Sequence, residues 1–499
     1  MSQPGSRDSR LWLPAVFLLL AGAFYFHGLG SVGLLGPDEP RYAFIGRAMA
    51  DSGDWLTPRL WGEPWFEKPP LLYWMTAAGF RLGLGPELAP RLPVALLSAV
   101  FLLWQWWLLR RLLGGSVAWL ASLINATTAG WAVYSKIGVT DLPLAACFQS
   151  AVLLGWLALE TRAPAARYGA AACLAAAVLA KGLVPLVLFL PVLWFLRREW
   201  RAWAGPAALF VLLAAPWYAA MACTHGRAFL DEFFLRHHFS RFSNDELQHV
   251  QPFWFYVPVA IGGLFPWVLL LSTVGRRLWT DERLRIPLSI FVFGFVFFSI
   301  SRNKLPGYLL PLWPSLCILL AAGLASAPRA GRPLFWTVML AGFSPAAAAL
   351  LPEALLYGIT SARLEGAAWE YFAALLPAAL GVWWLEARGR RGAAAAAAAA
   401  IAAAGLVFIQ LSAAPVLDQI VSARGLWRKA APYRGQVCIG RLHRAWRYGL
   451  AYYAGAPLPD CEAAPRPFVI DQAPGALPRL LPAPAHTPAA TGEPGARGQ

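Results

Sequence analysis

Residues 92–111 read LPVALLSAVFLLWQWWLLRR. Eighteen uncharged residues followed by two arginines make one bilayer-crossing helix with its cations left at one end. The same pattern recurs along the whole chain. Of 499 residues, 58% are hydrophobic and only 14% charged, where a soluble domain carries about 25% charged residues. The short alternating strands of a membrane barrel are missing. The composition therefore predicts an all-α polytopic membrane protein.

Thirteen spans are expected, at about 11–33, 90–109, 115–135, 142–159, 168–180, 183–196, 204–222, 253–274, 286–300, 307–325, 334–352, 370–386 and 393–412. The first is too long for a signal-peptide core and reads as a retained anchor. With this count, Arg7 and Arg10, Arg110 and Arg111, Arg162 and Arg167, Arg197, Arg198 and Arg201, Arg276 to Arg285, Arg329 and Arg332, and Arg388 to Arg391 all fall on one side. The positive-inside rule makes that side the cytoplasm. The net charge of +16 thus reports orientation and not a nucleic-acid partner. Merging 168–180 with 183–196 into one helix would break the alternation, so the break at Lys181-Gly182 is read as real.

The long loops, 34–89, 223–252 and 353–369, then lie outside. Past residue 412 the composition changes, and GQVCIGR and RPFVIDQ read as short strands. The expected organisation is a transmembrane domain over 1–412, a small mixed α/β periplasmic domain over 413–473 and a disordered tail over 474–499. Cys438 and Cys461 fall in that small domain, where an oxidising compartment would allow a disulfide.

Chemistry gathers in the first outer loop. Residues 38–74 hold Asp38, Glu39, Arg41, Arg47, Asp51, Asp54, Arg59, Glu63, Glu67 and Lys68 in a chain otherwise poor in charge. Carboxylates beside a span are costly unless they face water or a partner, so Asp38-Glu39 reads as a general base or acceptor-orienting pair, against a plain solvated turn. In FEKPPLLYW, Pro69-Pro70 stiffens the chain behind Glu67 and Lys68; an ordinary interfacial helix start would look similar. Asp141 in TDLPL follows Lys136 and reads either as a site carboxylate or as a helix cap. Residues 233–256 bring His237, His238 and His249 beside Arg236 and Arg241, also the pattern of a membrane-edge amphipathic helix. Lys304 and Tyr308 stand one helical turn apart. Only five lysines occur, and Lys68, Lys136, Lys181 and Lys304 all fall at outer span ends, where a compact ammonium suits phosphate.

Taken in order, DEPRYAFIGRAM, SGDWLTPRL, FEKPPLLYW, TDLPLA, AKGLV, HHFSRF with QPFWFYVPV, and SRNKLPGYLLPLWP resemble the GT-C glycosyltransferases, among them the aminoarabinose transferases and the protein O-mannosyltransferase-like enzymes. The resemblance covers about residues 34–315. It implies a GT-C fold and inverting transfer of a sugar from a polyprenyl-phosphate donor to a lipid A, glycan or protein acceptor at the periplasmic face of the inner membrane. It implies Asp38, Asp141 and Glu39 as catalytic carboxylates. Lys68, Arg241, Arg41, Lys304 and Tyr308 would surround the donor phosphate. Glu67 with His237 or His238 would form a possible divalent metal pair. A lipid-borne donor fits the missing nucleotide-binding glycine loop. The rival reading, a lipid-linked sugar transporter or flippase, expects internal repeats and ionisable groups at mid-membrane; the ionisable groups here gather on one face.

Overall fold

The computed structural model describes residues 22–240, 250–275, 277–328, 331–357 and 370–483. The expected first outer loop is itself folded. Helix α1 (Asp38–Ser52) begins after Pro37, carries Asp38 and Glu39 in its first turn, where the helix dipole favours carboxylates, and ends at Gly53 with φ 75°. A tight hairpin follows, β1 (Arg59–Leu60) against β2 (Glu63–Pro64). Pro69-Pro70 then leads into α2 (Leu71–Arg81), which packs on α1.

The bundle proper contains α3 (Leu88–Leu112), α4 (Gly115–Thr127), α5 (Ala129–Tyr134), α6 (Asp141–Thr161) and α7 (Pro164–Lys181). It continues through α8 (Val184–Leu188), α9 (Leu190–Leu196), a 3-10 segment at Arg197–Trp203, and α10 (Ala204–Leu230). Then come α11 (Tyr256–Gly263), α12 (Arg277–Thr280), α13 (Arg285–Ile300), α14 (Trp313–Ser326), α15 (Gly331–Ala341), α16 (Ser344–Tyr357), α17 (Glu370–Ala387) and α18 (Arg391–Ile420). The chain breaks at Gly182, φ 86° and ψ −146°, so 168–196 is not one helix.

Among the described residues six helical runs are long and apolar enough to cross a membrane, and two bent pairs raise the number to eight. The molecule is a multi-pass membrane protein, and among the described residues some of the expected crossings are bent or broken helices. Residues 11–21 of the first expected span lie outside the described residues. The expected span 115–135 is interrupted at Thr128, which is extended between α4 and α5.

Helix α6 and the run Pro306–Ser326 are almost wholly enclosed, whereas Leu190–Phe234 is mostly open at the surface. The enclosed helices are stitched by polar groups, as they must be where lipid offers no partners. Gln149 Nε2 donates to the Pro311 carbonyl at 2.5 Å, Trp267 Nε1 to Thr127 Oγ1 at 2.9 Å and Trp313 Nε1 to Thr128 Oγ1 at 2.9 Å. These bonds fix the relative heights of the central helices, and with them the groups at the end that carries Asp38.

At the carboxyl end, α19 (Ala423–Ala430), β3 (Val437–Ile439), α20 (Arg444–Ala454), β4 (Phe468–Asp471) and β5 (Arg479–Pro482) form a small unit. Its sheet has the order β3-β4-β5, parallel then antiparallel, with Val437 opposite Phe468 and Phe468 opposite Pro482. Cys438 and Cys461 are joined in a disulfide. The preceding helix runs to Ile420, beyond the expected boundary at 412, and β5 lies beyond 473, because Arg479–Pro482 completes the sheet edge of β4. Residues 484–499 lie outside the described ones.

Candidate active site

Asp38 opens α1 with its side chain 45% exposed, and Arg41 Nη2, one turn on, reaches back to its Oδ1 at 2.6 Å. The same nitrogen lies 3.1 Å from Glu67 Oε2, and Glu67 Oε1 accepts from Lys68 Nζ at 2.9 Å. Asp38, Arg41, Glu67 and Lys68 thus form one charge-balanced chain, exposed at Asp38 and buried at Glu67 and Lys68. Tyr42, Trp65 and Tyr448 surround the guanidinium of Arg41, which lies 5.3, 5.2 and 5.5 Å from their ring centroids.

Three buried polar atoms in this cluster have no hydrogen-bond partner among the described residues: Arg41 Nε, Trp65 Nε1 and the Tyr73 hydroxyl. Burial, and after it the Glu67 carboxylate, holds the Tyr73 phenol well above its ordinary pKa, so it stays a donor. Buried donors are nearly always satisfied in folded proteins. Arg41 Nε with the Trp65 and Tyr73 donors beside it is a candidate cradle for an acceptor-rich ligand.

A second cluster sits next to it. Asp141 opens α6 and accepts from Lys181 Nζ, at the end of α7, at 2.6 Å. That ammonium lies 5.0 Å over the ring of Tyr308. A Cβ on Gly307 would meet Asp141 Oδ1 at 2.5 Å and Tyr134 Oη at 2.7 Å, so glycine is what lets this turn approach the carboxylate. Tyr134 is within electrostatic reach of both Asp38 and Asp141 and joins the two clusters.

Glu39 does something different from its neighbour. It is fully buried, and its carboxylate takes Arg91 Nε and Nη2 at 2.7 Å each, with the backbone N–H groups of Leu35 at 2.7 Å and Gly138 at 2.8 Å. Arg91 spends its other donors on the carbonyls of Leu29, Val32 and Gly33. Every lone pair of Glu39 is occupied, which leaves nothing to receive a proton from a substrate. The expectation of a catalytic Glu39 is corrected: it is the bolt that ties the chain before α1 to α3 and to the turn before α6.

The lysines are likewise engaged. Lys304 donates to the carbonyls of Gln251, at 2.9 Å, and Ser301, holding two backbone segments together and not standing ready for a phosphate. Lys136 binds the Gln410 side chain. Lys181 is the partner of Asp141, a pairing that its sequence position alone does not indicate. Arg241 lies outside the described residues, as do the side chains of His237 and His238. No group of three His, Cys, Asp or Glu residues suited to a metal occurs among the described residues. Glu67 already faces two cations, a poor setting for a divalent ion, so no step below is routed through a metal.

Two cavities among the described residues lie apart from the two charged clusters. One of about 600 Å³ runs between Phe253, Trp254, Val257 and Ile300 and reaches Lys304. A larger one of about 1210 Å³ lies at the opposite end of the bundle, beside Arg110 and Arg391, away from the acidic clusters.

A family profile described as dolichyl-phosphate-mannose-protein mannosyltransferase matches residues 67–222. An undecaprenyl phosphate-alpha-4-amino-4-deoxy-L-arabinose arabinosyl transferase of Edwardsiella ictaluri is 34% identical over 305 residues, covering 57% of this chain and 54% of that protein. The enzyme of the same name from Pseudomonas aeruginosa strain LESB58 is 33% identical over 344 residues, covering 65% and 62%. The chain therefore spans less than two thirds of the length of these curated relatives. The crystal structure of ArnT from Cupriavidus metallidurans bound to undecaprenyl phosphate superposes with a TM-score of 0.71 at 25% identity, over 94% of this chain and 87% of that one. The chain is a polytopic membrane protein of the GT-C fold. Within that class it is similar in sequence and in fold to the aminoarabinose transferases.

Proposed function

We propose that the protein is an inverting glycosyltransferase that moves a sugar, of the 4-amino-4-deoxyarabinose kind, from an undecaprenyl-phosphate donor to a lipid, glycan or protein acceptor. The cradle of unpartnered donors around Arg41, beside the half-exposed carboxylate of Asp38, carries this reading. The relatives are named for that donor, and the neighbouring crystal structure holds undecaprenyl phosphate.

In such a transfer an acceptor oxygen attacks the anomeric carbon as the bond to the phosphate oxygen breaks and its electron pair stays with the phosphate. Arg41 and Lys68 meet the charge that grows there. Asp38, reachable from solvent and held by Arg41, takes the proton of an acceptor hydroxyl. With an acceptor that is already anionic, Asp38 instead steadies the positive charge developing on the sugar. The apolar groove at Phe253, Trp254 and Ile300 suits the isoprenoid tail. We further propose that this end faces the periplasm. The arginines of the short inter-span loops, among them Arg110, Arg111, Arg162, Arg167, Arg197, Arg198, Arg388 and Arg390, lie at the other end, and a Cys438–Cys461 disulfide belongs in an oxidising compartment.

Reconstituted protein given undecaprenyl-phosphate-linked aminoarabinose and lipid A should release undecaprenyl phosphate and yield modified lipid A. A donor that stays intact with every acceptor tried contradicts the reading. The second cluster adds its own expectation. Gly307→Ala pushes the Asp141 carboxylate aside, and turnover should fall roughly 10- to 100-fold, the scale of an ångström-sized misplacement, while the thermal unfolding midpoint changes little. Unchanged turnover would remove Asp141 from the working site.

A further inference from the structure

The carboxyl-terminal unit touches the reaction site itself. Helix α20 packs on α1 and places Tyr448 with its ring centroid 5.5 Å from the Arg41 guanidinium. The other face of the contact is Trp61, stacked on Tyr448 at 5.4 Å with the rings 28° from parallel. Trp61 and Gly62 form the two-residue turn of the β1–β2 hairpin, with φ 59° and 92°. That turn geometry is the one Asn-Gly adopts with ease. A tryptophan in left-handed backbone is strained, and such strain persists only where the surroundings hold it. Here the surroundings are Tyr448.

The unit is also clamped, not loosely tethered. Tyr452 donates to the Pro86 carbonyl at 2.6 Å, and the Tyr453 hydroxyl accepts from Leu34 N at 3.0 Å and donates to Glu87 Oε1 at 3.2 Å. Arg424 donates to the carbonyls of Gly30 at 2.9 Å and Ser31 at 2.8 Å. Tyr448 is thereby fixed relative to α1, not merely close to it.

We infer that Tyr448, backed by the strained Trp61, is a positioning residue for transfer: it holds Arg41 in the orientation that bridges Asp38 and Glu67. Arg41 has ion-pair partners on two different elements, α1 and the segment before α2. Without a lid on its aromatic side it can swing toward solvent and release either carboxylate. Cation–π packing supplies that lid without competing for the guanidinium's hydrogen bonds. The small unit thus completes the site from the carboxyl end of the chain.

This inference rests on the transfer reading above, and one assay separates their failures. Release of undecaprenyl phosphate is measured for wild type, Tyr448→Leu, Tyr448→Phe and Trp61→Asn, with unfolding midpoints alongside. Tyr448→Leu should lower kcat about tenfold with the donor KM within about twofold, on the scale of one cation–π contact to an ordering group. Tyr448→Phe, which keeps the ring, should restore kcat to within about twofold. Trp61→Asn relieves the turn, so it should hold or raise the midpoint while lowering kcat about threefold. Wild-type kcat in Tyr448→Leu, equal loss in the Phe and Leu variants, or losses that only track the midpoints would overturn the positioning role and leave the transfer reading standing. An inert wild type would overturn both.

Discussion

Asp38→Asn should abolish transfer while leaving the protein folded and the donor bound. The change keeps the shape of the side chain and removes its ability to take a proton. General-base catalysis contributes about 10²- to 10⁴-fold, so kcat should drop by roughly a thousandfold. Arg41 keeps Glu67 as a partner in the variant, 3.1 Å away, and the Glu67–Lys68 pair is untouched. The donor KM should therefore stay within about threefold, as expected when an interaction made only in the transition state is lost. Asp38 is half-exposed, and exposed isosteric changes shift stability by about 0.5 kcal/mol or less. A kcat within tenfold of wild type would show that Asp38 is not the group on which transfer depends.

The neighbouring residue should behave in the opposite way. Arg91→Met leaves the Glu39 carboxylate buried without its guanidinium and strands three backbone carbonyls. Breaking one side of a buried ion pair costs about 3–5 kcal/mol, a large fraction of an ordinary net stability of about 5–15 kcal/mol. Little folded protein should be recovered, and the unfolding midpoint of what remains should fall by about 3–5 °C. The double variant Glu39→Gln, Arg91→Met removes the uncompensated charge and should regain part of the loss. Equal damage in the single and double variants would mean that packing, not the buried charge, dominates. A midpoint for Arg91→Met within about 2 °C of wild type would refute the bolt altogether. Together the two variants separate a carboxylate that works from one that holds, though they are consecutive in the chain.

That separation is invisible in the sequence. Asp38 and Glu39 have the same chemistry and the same local surroundings, and only Arg91, 52 residues away, distinguishes them. The membrane architecture was legible because hydropathy and arginine placement act locally and repeat along the chain. The break at Gly182 was legible for the same reason. Treating 34–89 as a loop missed α1, although Asp38 and Glu39 in a first turn and Gly53 at the end are ordinary helix signals. The lysines at span ends read as phosphate-binding; Lys136, Lys181 and Lys304 find protein partners from segments distant in sequence. Tyr448 carried no signal, since nothing in a carboxyl-terminal helix announces that it folds back on the first outer helix.

Sugar transfer at the Asp38 end of the bundle is tested most directly in a deletion strain. Mass spectrometry of its lipid A and surface glycans should show the loss of one sugar-bearing species. Wild-type protein should restore that species, and Asp38→Asn, made at the same level in the membrane, should not. Restoration to the wild-type amount by Asp38→Asn, or an unchanged glycan profile in the deletion strain, would contradict the account.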